Sequence, residues 1–98
     1  MAITTSSADN VVRIIVGDRF SFDSHNEFRA AYKDAPKGSG FIIDMGQTSY
    51  MDSSALGMML LLREHAGADD AKISIVGCSP EIKNILTISK FDKLFNIS

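Results

Sequence analysis

Asp52, Ser53 and Ser54 stand in a row directly ahead of an apolar run, Ala55 to Leu62, that only Gly57 interrupts. A serine hydroxyl serves as a nucleophile, a phosphate acceptor or a helix cap, and its neighbours decide which. Nucleophilic attack needs a base, for which the chain offers His25 or His65, with Asp44 completing an imagined triad. No G-x-S-x-G elbow surrounds either serine. His65 follows Ser53 by more than three helical turns, ~18 Å along the axis, too far to take its proton. His25 lies inside the capping pattern Ser24-His25-Asn26-Glu27 and reads as a solvated surface residue. A small hydrolase is therefore a remote reading, and no catalytic residue is assigned.

Metal and cofactor chemistry are equally poorly supplied. Cys78 is the one cysteine, and neither histidine has a ligand at metal-site spacing. No glycine-rich phosphate loop is present, so no cofactor is expected. What remains is the Asp-Ser-Ser cluster. One helix cap needs one side chain, and here three polar residues stand together. The helix they open does not read as amphipathic: Ala55, Met58, Met59 and Leu62 form one stripe, while Leu56, Leu60 and Leu61 spread over the rest. A chain of 98 residues has little material to bury such a helix on all sides. Part of it is expected to be a docking surface.

The elements that must hold this cluster follow from local patterns. Val11 to Val16 is a β-branched run of strand length, and Gly17-Asp18 a turn signal. Arg19 to Phe22 alternates polar with aromatic, which predicts a hairpin-like pair with the preceding strand. Ser24 to Glu27 opens a helix whose Phe28, Ala31, Tyr32 and Ala35 share one face, and Pro36 to Gly40 ends it. Phe41-Ile42-Ile43, before Asp44, has the pattern of a strand covered on both faces. A second helix runs from Ser53 or Ser54 to about Ala66, with Gly67 as its stop. Ile73 to Val76 is a strand. Ser79-Pro80-Glu81 opens a third helix with core residues Ile82, Ile85 and Leu86. Phe91, Leu94, Phe95 and Ile97 form a closing segment. The order β-β-α-β-α-β-α predicts an α/β domain with a mixed, mostly parallel sheet of about four strands under helical cover.

Size and charge bound the rest. Residues 1–98 are expected to form one domain, with 1–10 loosely attached. Lys and Arg total 10 against 12 Asp and Glu, a net charge of −2 without the basic stripe that nucleic acid requires. The polar start, Met1 to Asn10, has no signal-peptide core, and no apolar run is long enough to span a bilayer. The lone Cys78 suits a reducing cytoplasm, where it reads as a small buried hydrophobe at a strand end. A cytoplasmic location is expected.

At Asp44, Tyr50-Met51 and Asp52-Ser53-Ser54-Ala55-Leu56-Gly57 the chain resembles the STAS-domain family of bacterial anti-sigma factor antagonists. The resemblance runs from about Gly17 to Phe95. It takes in Phe22-Asp23, Ser79-Pro80 and the closing Phe91-Asp92-Lys93-Leu94-Phe95. It implies a single STAS-like domain, not an enzyme, whose unphosphorylated form binds an anti-sigma factor that is also a serine protein kinase. Ser53 is then the phosphoacceptor, Asp23 and Asp52 are neighbouring acids, and a PP2C-type phosphatase reverses the modification. The partner-binding set expected on this basis is Asp23, Met51, Asp52, Ser53, Ser54, Ala55, Leu56, Met58 and Met59. Ala55 departs from the family's usual glycine, which bears on how closely a partner's backbone approaches. The alternative within the same family is an accessory subunit docking on a transporter ATPase, or a regulator of an output other than a sigma factor. An intact Ser53-Ser54 pair favours the phosphoswitch.

Overall fold

A computed structural model describes residues 3–36 and 38–98. Thr4–Ala8 (β1) and Val11–Ile15 (β2) form an antiparallel hairpin closed by Asp9-Asn10. Both turn residues adopt left-handed backbone, φ 54° and 66°, which Asp and Asn tolerate better than other side chains and which a two-residue hairpin needs. Within the segment 1–10 expected to be loosely attached, Thr4–Ala8 is a strand, and residues 1–2 lie outside the described residues. The strand's side chains are all exposed, so no hydrophobic pattern announces it.

Beyond β2 come Arg19–Phe20 (β3), a 3₁₀ turn at Phe22–Ser24, the helix His25–Tyr32 (α1), Gly40–Asp44 (β4) and Tyr50–Met51 (β5). They are followed by Ser53–His65 (α2), Ile73–Val76 (β6), Pro80–Ile88 (α3) and Asn96–Ile97 (β7). The main sheet has five strands in the order β1-β2-β4-β6-β7, and every pairing after the first is parallel. Each crossover steps one place in the same direction, so right-handed connections set all three helices on one face. Burial follows: Ile14, Phe41, Ile43, Ile73 and Ile75 are buried beneath the helices. Alternate residues Arg13, Ile15, Ile42, Asp44, Ser74 and Val76 are only half-buried on the other face. The central strand β4 is therefore covered on one side, not on both.

The predicted hairpin between β2 and the Arg19 segment does not form. β3 instead pairs in parallel with β5, as a separate two-stranded sheet. Backbone accounting explains it: the Asp18 carbonyl accepts from Ser49 N (2.8 Å) and Tyr50 N (3.1 Å), and Thr48 Oγ1 donates to the Gly17 carbonyl (2.9 Å). The loop after β2 is tied to the loop after β4. The Ser24–Glu27 capping box is absent too. Ser24 is fully buried, and its hydroxyl donates to the Arg19 carbonyl (3.3 Å) and accepts from Ser21 N (3.4 Å).

The second and third helices begin where expected. Ser79 Oγ accepts from Ile82 N (3.2 Å) with Pro80 at the first position, and Gly67 at φ 117° follows the end of α2. Of the stripe on α3, Ile82 and Leu86 are buried and Ile85 stays exposed. Phe91 and Phe95 stack at 5.3 Å inside the core, and the closing segment then adds β7 as the fifth strand. Cys78 is half-buried, and burial raises its thiol pKa above the usual value. No helix among the described residues is long and apolar enough to cross a membrane.

Candidate functional site

Three loops converge at the carboxyl ends of the strands, where α/β sheets gather their chemistry. Asp52 is the N-cap of α2, and its carboxylate works in two directions. Oδ1 accepts from Ala55 N (3.2 Å), closing the first helical turn; Oδ2 accepts from Phe22 N (3.3 Å), holding the 3₁₀ turn against the helix start. The Asp52 amide donates to the Phe20 carbonyl (3.2 Å), extending the β3–β5 pairing. Asp52 is thus the one side chain that the cap needs, and it also ties two segments together. Ser53 is left free for another role.

Ser53 is the first residue of α2; it is exposed, and its hydroxyl makes no hydrogen bond among the described residues. Ser54 is half-buried. Asp23 is exposed in the turn that Asp52 holds. Phe22, 71% exposed, stands beside it in the chain. Tyr50 is also exposed, and the Arg19 guanidinium sits 4.3 Å from its ring centroid.

The expected docking set divides on the helix. Ala55, Met58 and Met59 are buried, and so is Met51 on β5. They support the surface from beneath and do not line it. The physical reason is the sheet: α2 lays the stripe Ala55, Met58, Met59, Leu62 onto it. The opposite face carries Ser53, half-buried Leu56, exposed Gly57 and exposed Leu60, at i, i+3, i+4 and i+7, with exposed Leu61 beside them. Ala55 is fully buried on the inward stripe. Phe22, Tyr50, Leu60 and Leu61 are absent from the expected set. The signal for the leucines was available in the helical stripe; Phe22 and Tyr50 stood among the residues that carry the resemblance, but nothing local showed that their rings are exposed.

Asp44 serves the scaffold. Its Oδ1 accepts from Gly46 N (2.9 Å) and Oδ2 from Arg13 Nη2 (2.7 Å). The Gly46 N–H, and after it Arg13, hold the carboxyl below the usual aspartate range. The imagined triad is not assembled. His65 ends α2 with its ring 5.1 Å from Tyr32, and His25, at the start of α1, borders the same shallow groove around Tyr32.

The STAS domain model matches residues 3–98, nearly the whole chain. The chain belongs to the STAS domain family. A STAS-domain containing protein of Pseudomonas aeruginosa is 48% identical over 101 residues, covering 100% of both chains. Among solved structures, an anti-sigma-factor antagonist domain protein from Planctomyces limnophilus superposes with a TM-score of 0.84 at 16% identity, over 97% of this chain and 87% of that one. The unphosphorylated anti-sigma factor antagonist SpoIIAA gives 0.80 at 18% identity, over 99% and 88%. The phosphorylated Bacillus form gives 0.74 at 17% identity, over 99% and 91%. At these identities the structural likeness establishes a shared STAS fold.

Proposed function

We propose that this chain is a cytoplasmic bacterial binding module, an anti-sigma factor antagonist, switched by phosphorylation of Ser53. The unphosphorylated form captures an anti-sigma factor that is also a serine kinase; phosphorylation releases it, and a PP2C-type phosphatase resets the module. One observation carries the reading: an exposed hydroxyl, unengaged among the described residues, at the start of a thirteen-residue helix whose outward side carries half-buried Leu56 and exposed Leu60 and Leu61, with exposed Phe22 in the turn that Asp52 holds.

Phosphate on Ser53 adds about −1.5 to −2 charge at neutral pH. The chain carries −2, Asp52 directly precedes the position, and Asp23 lies in the turn that Asp52 holds. The helix N-terminus tolerates the anion through its backbone amides and dipole. The fold therefore stays as it is, while a partner packed over the apolar face meets repulsion and the cost of stripping water from the phosphate.

Ser53→Ala and Ser53→Asp used as paired baits in native lysate test this, with phosphopeptide mapping of the parent chain. The expected result is an anti-sigma factor or serine kinase held by the alanine form and bound at least tenfold more weakly by the aspartate form, about 1.4 kcal/mol. The mapped phosphate should lie on Ser53. Equal retention by both baits removes the switch, and a transporter ATPase held equally by both replaces it with the accessory-subunit role.

A further inference from the structure

The edge strand β1 lies apart from the Ser53 site and lacks the protection that edges usually carry. Thr4-Thr5-Ser6-Ser7-Ala8 contains no charge, no proline and no bulge, and every residue is exposed. Its register with β2 closes at the Ala8–Val11 pair flanking the two-residue turn. In such a hairpin Ala8, Ser6 and Thr4 bond inward to β2. The backbone N–H and C=O groups of Thr5 and Ser7 consequently point outward, unpaired among the described residues.

Beside this edge, a groove of about 580 Å³ separates β1 from α1, above half-buried Val12, Ala31 and Ala35. A hollow of about 260 Å³, sharing Thr5, Ala30 and Ala31 with it, continues to Ile3 and Glu27. Small side chains line the middle, and carboxylates stand toward the ends: Glu27 at the Ile3 end, Asp34 and Asp9 at the turn end. Among the described lining residues there is no basic group.

We propose that the outer edge of β1 and the groove beside α1 form a docking site for an extended, basic segment of another protein, added as a sixth strand. Glu27 and Asp34 are separated by about 10 Å along α1 and its continuation, at 1.5 Å per residue. Residues four apart on a strand span about 13 Å. The fitting segment carries a basic residue at each end of such an interval and a small residue midway, all on the groove side. Main-chain pairing to Thr5 and Ser7 supplies affinity, and the carboxylates supply selectivity. A second copy of this chain fits poorly, because its own β1 has no basic residue and pairing would bring the two sets of carboxylates together.

The test is a ¹⁵N NMR titration with the peptide acetyl-Thr-Lys-Thr-Ala-Thr-Lys-Thr-amide. The expected result is saturable shifts confined to the β1 residues and the 27–35 segment. Affinity should fall at least tenfold in Ser7→Pro, which removes an outward N–H, and in Asp34→Lys, which leaves the backbone of β1 untouched. Replacing both peptide lysines by glutamate should abolish the shifts. No shift at millimolar peptide, equal binding of the glutamate peptide, or self-association through β1 overturns the proposal. None of these readouts involves Ser53, so failure here leaves the phosphoswitch standing.

Discussion

Asp52 and Asp44 are both carboxylates at the carboxyl end of the sheet, and backbone partners set their different roles. Asp52 joins Phe22 N to Ala55 N and so fixes the platform on which Ser53 is presented. Asp44 joins Gly46 N to Arg13, with its pKa held below the ordinary 3.8 chiefly by the Gly46 N–H. The sign of the linkage follows: a depressed carboxyl pKa contributes stability that is complete above 3.8 and is lost as pH falls through the lower folded value. Asp44→Asn keeps an acceptor for Gly46 and removes the charge. It should cost about 1–2 kcal/mol at pH 7, tempered by the solvent reaching Arg13. Urea melts from pH 7 to pH 2 should show the gap between parent and variant closing below pH 3.8. A constant gap would assign the interaction to shape and not to charge.

Among the elements, α2 is the one whose two faces carry different work. Its inner stripe is core, while Leu56, Gly57 and Leu60 lie outside it with Ser53. Gly57 has open space around the position its Cβ would take. Glycine inside a helix costs about 0.5–1 kcal/mol relative to alanine, so Gly57→Ala should stabilise the fold by that amount. Thermal unfolding checks this. The same methyl projects from the proposed docking face, so the stabilised variant should bind the captured partner less well than the parent does. A gain in both stability and binding would place the partner elsewhere.

Across the whole molecule, the loops after β4 and β6 lie close together above the sheet. Gly77 has φ +73°, and a Cβ there would stand 2.9 Å from Gly46 N. Gly77→Ala meets both left-handed strain and the Gly46 backbone, a cost of about 1–3 kcal/mol. Each kcal/mol lowers the melting temperature of a domain this size by about 4–8 °C. Because Gly46 also donates to Asp44, the acid sensitivity of the variant should change along with its stability. An unchanged melting curve would mean that the two loops can part without loss. The aromatic chain Phe20, Phe28, Tyr32 and His65, with centroid separations of 5.0, 5.7 and 5.1 Å, ties β3, α1 and α2 into one body beneath the site.

Local chemistry was sufficient for α2 and α3, since Asp52, Ser79 and Pro80 act within a turn of their own position. It was sufficient for β2, β4 and β6 because branched apolar side chains favour strands whatever they pair with. The residues Asp44, Tyr50-Met51 and Asp52–Gly57 carried the resemblance to the STAS family, which the match over residues 3–98 bears out. Partnership, in contrast, is non-local. β1 has no apolar pattern and is held by a left-handed Asp9-Asn10 turn and main-chain bonds. β3 has a strand's alternation but finds its partner thirty residues later, through the Asp18 carbonyl. The helical stripes of α2 were also legible. Which stripe meets the sheet was decided only when the crossovers put all three helices on one face, burying Met58 and Met59 and leaving Leu56, Leu60 and Leu61 outward. Side-chain types depend on single positions, whereas burial depends on what packs opposite, and only the tertiary structure supplies that.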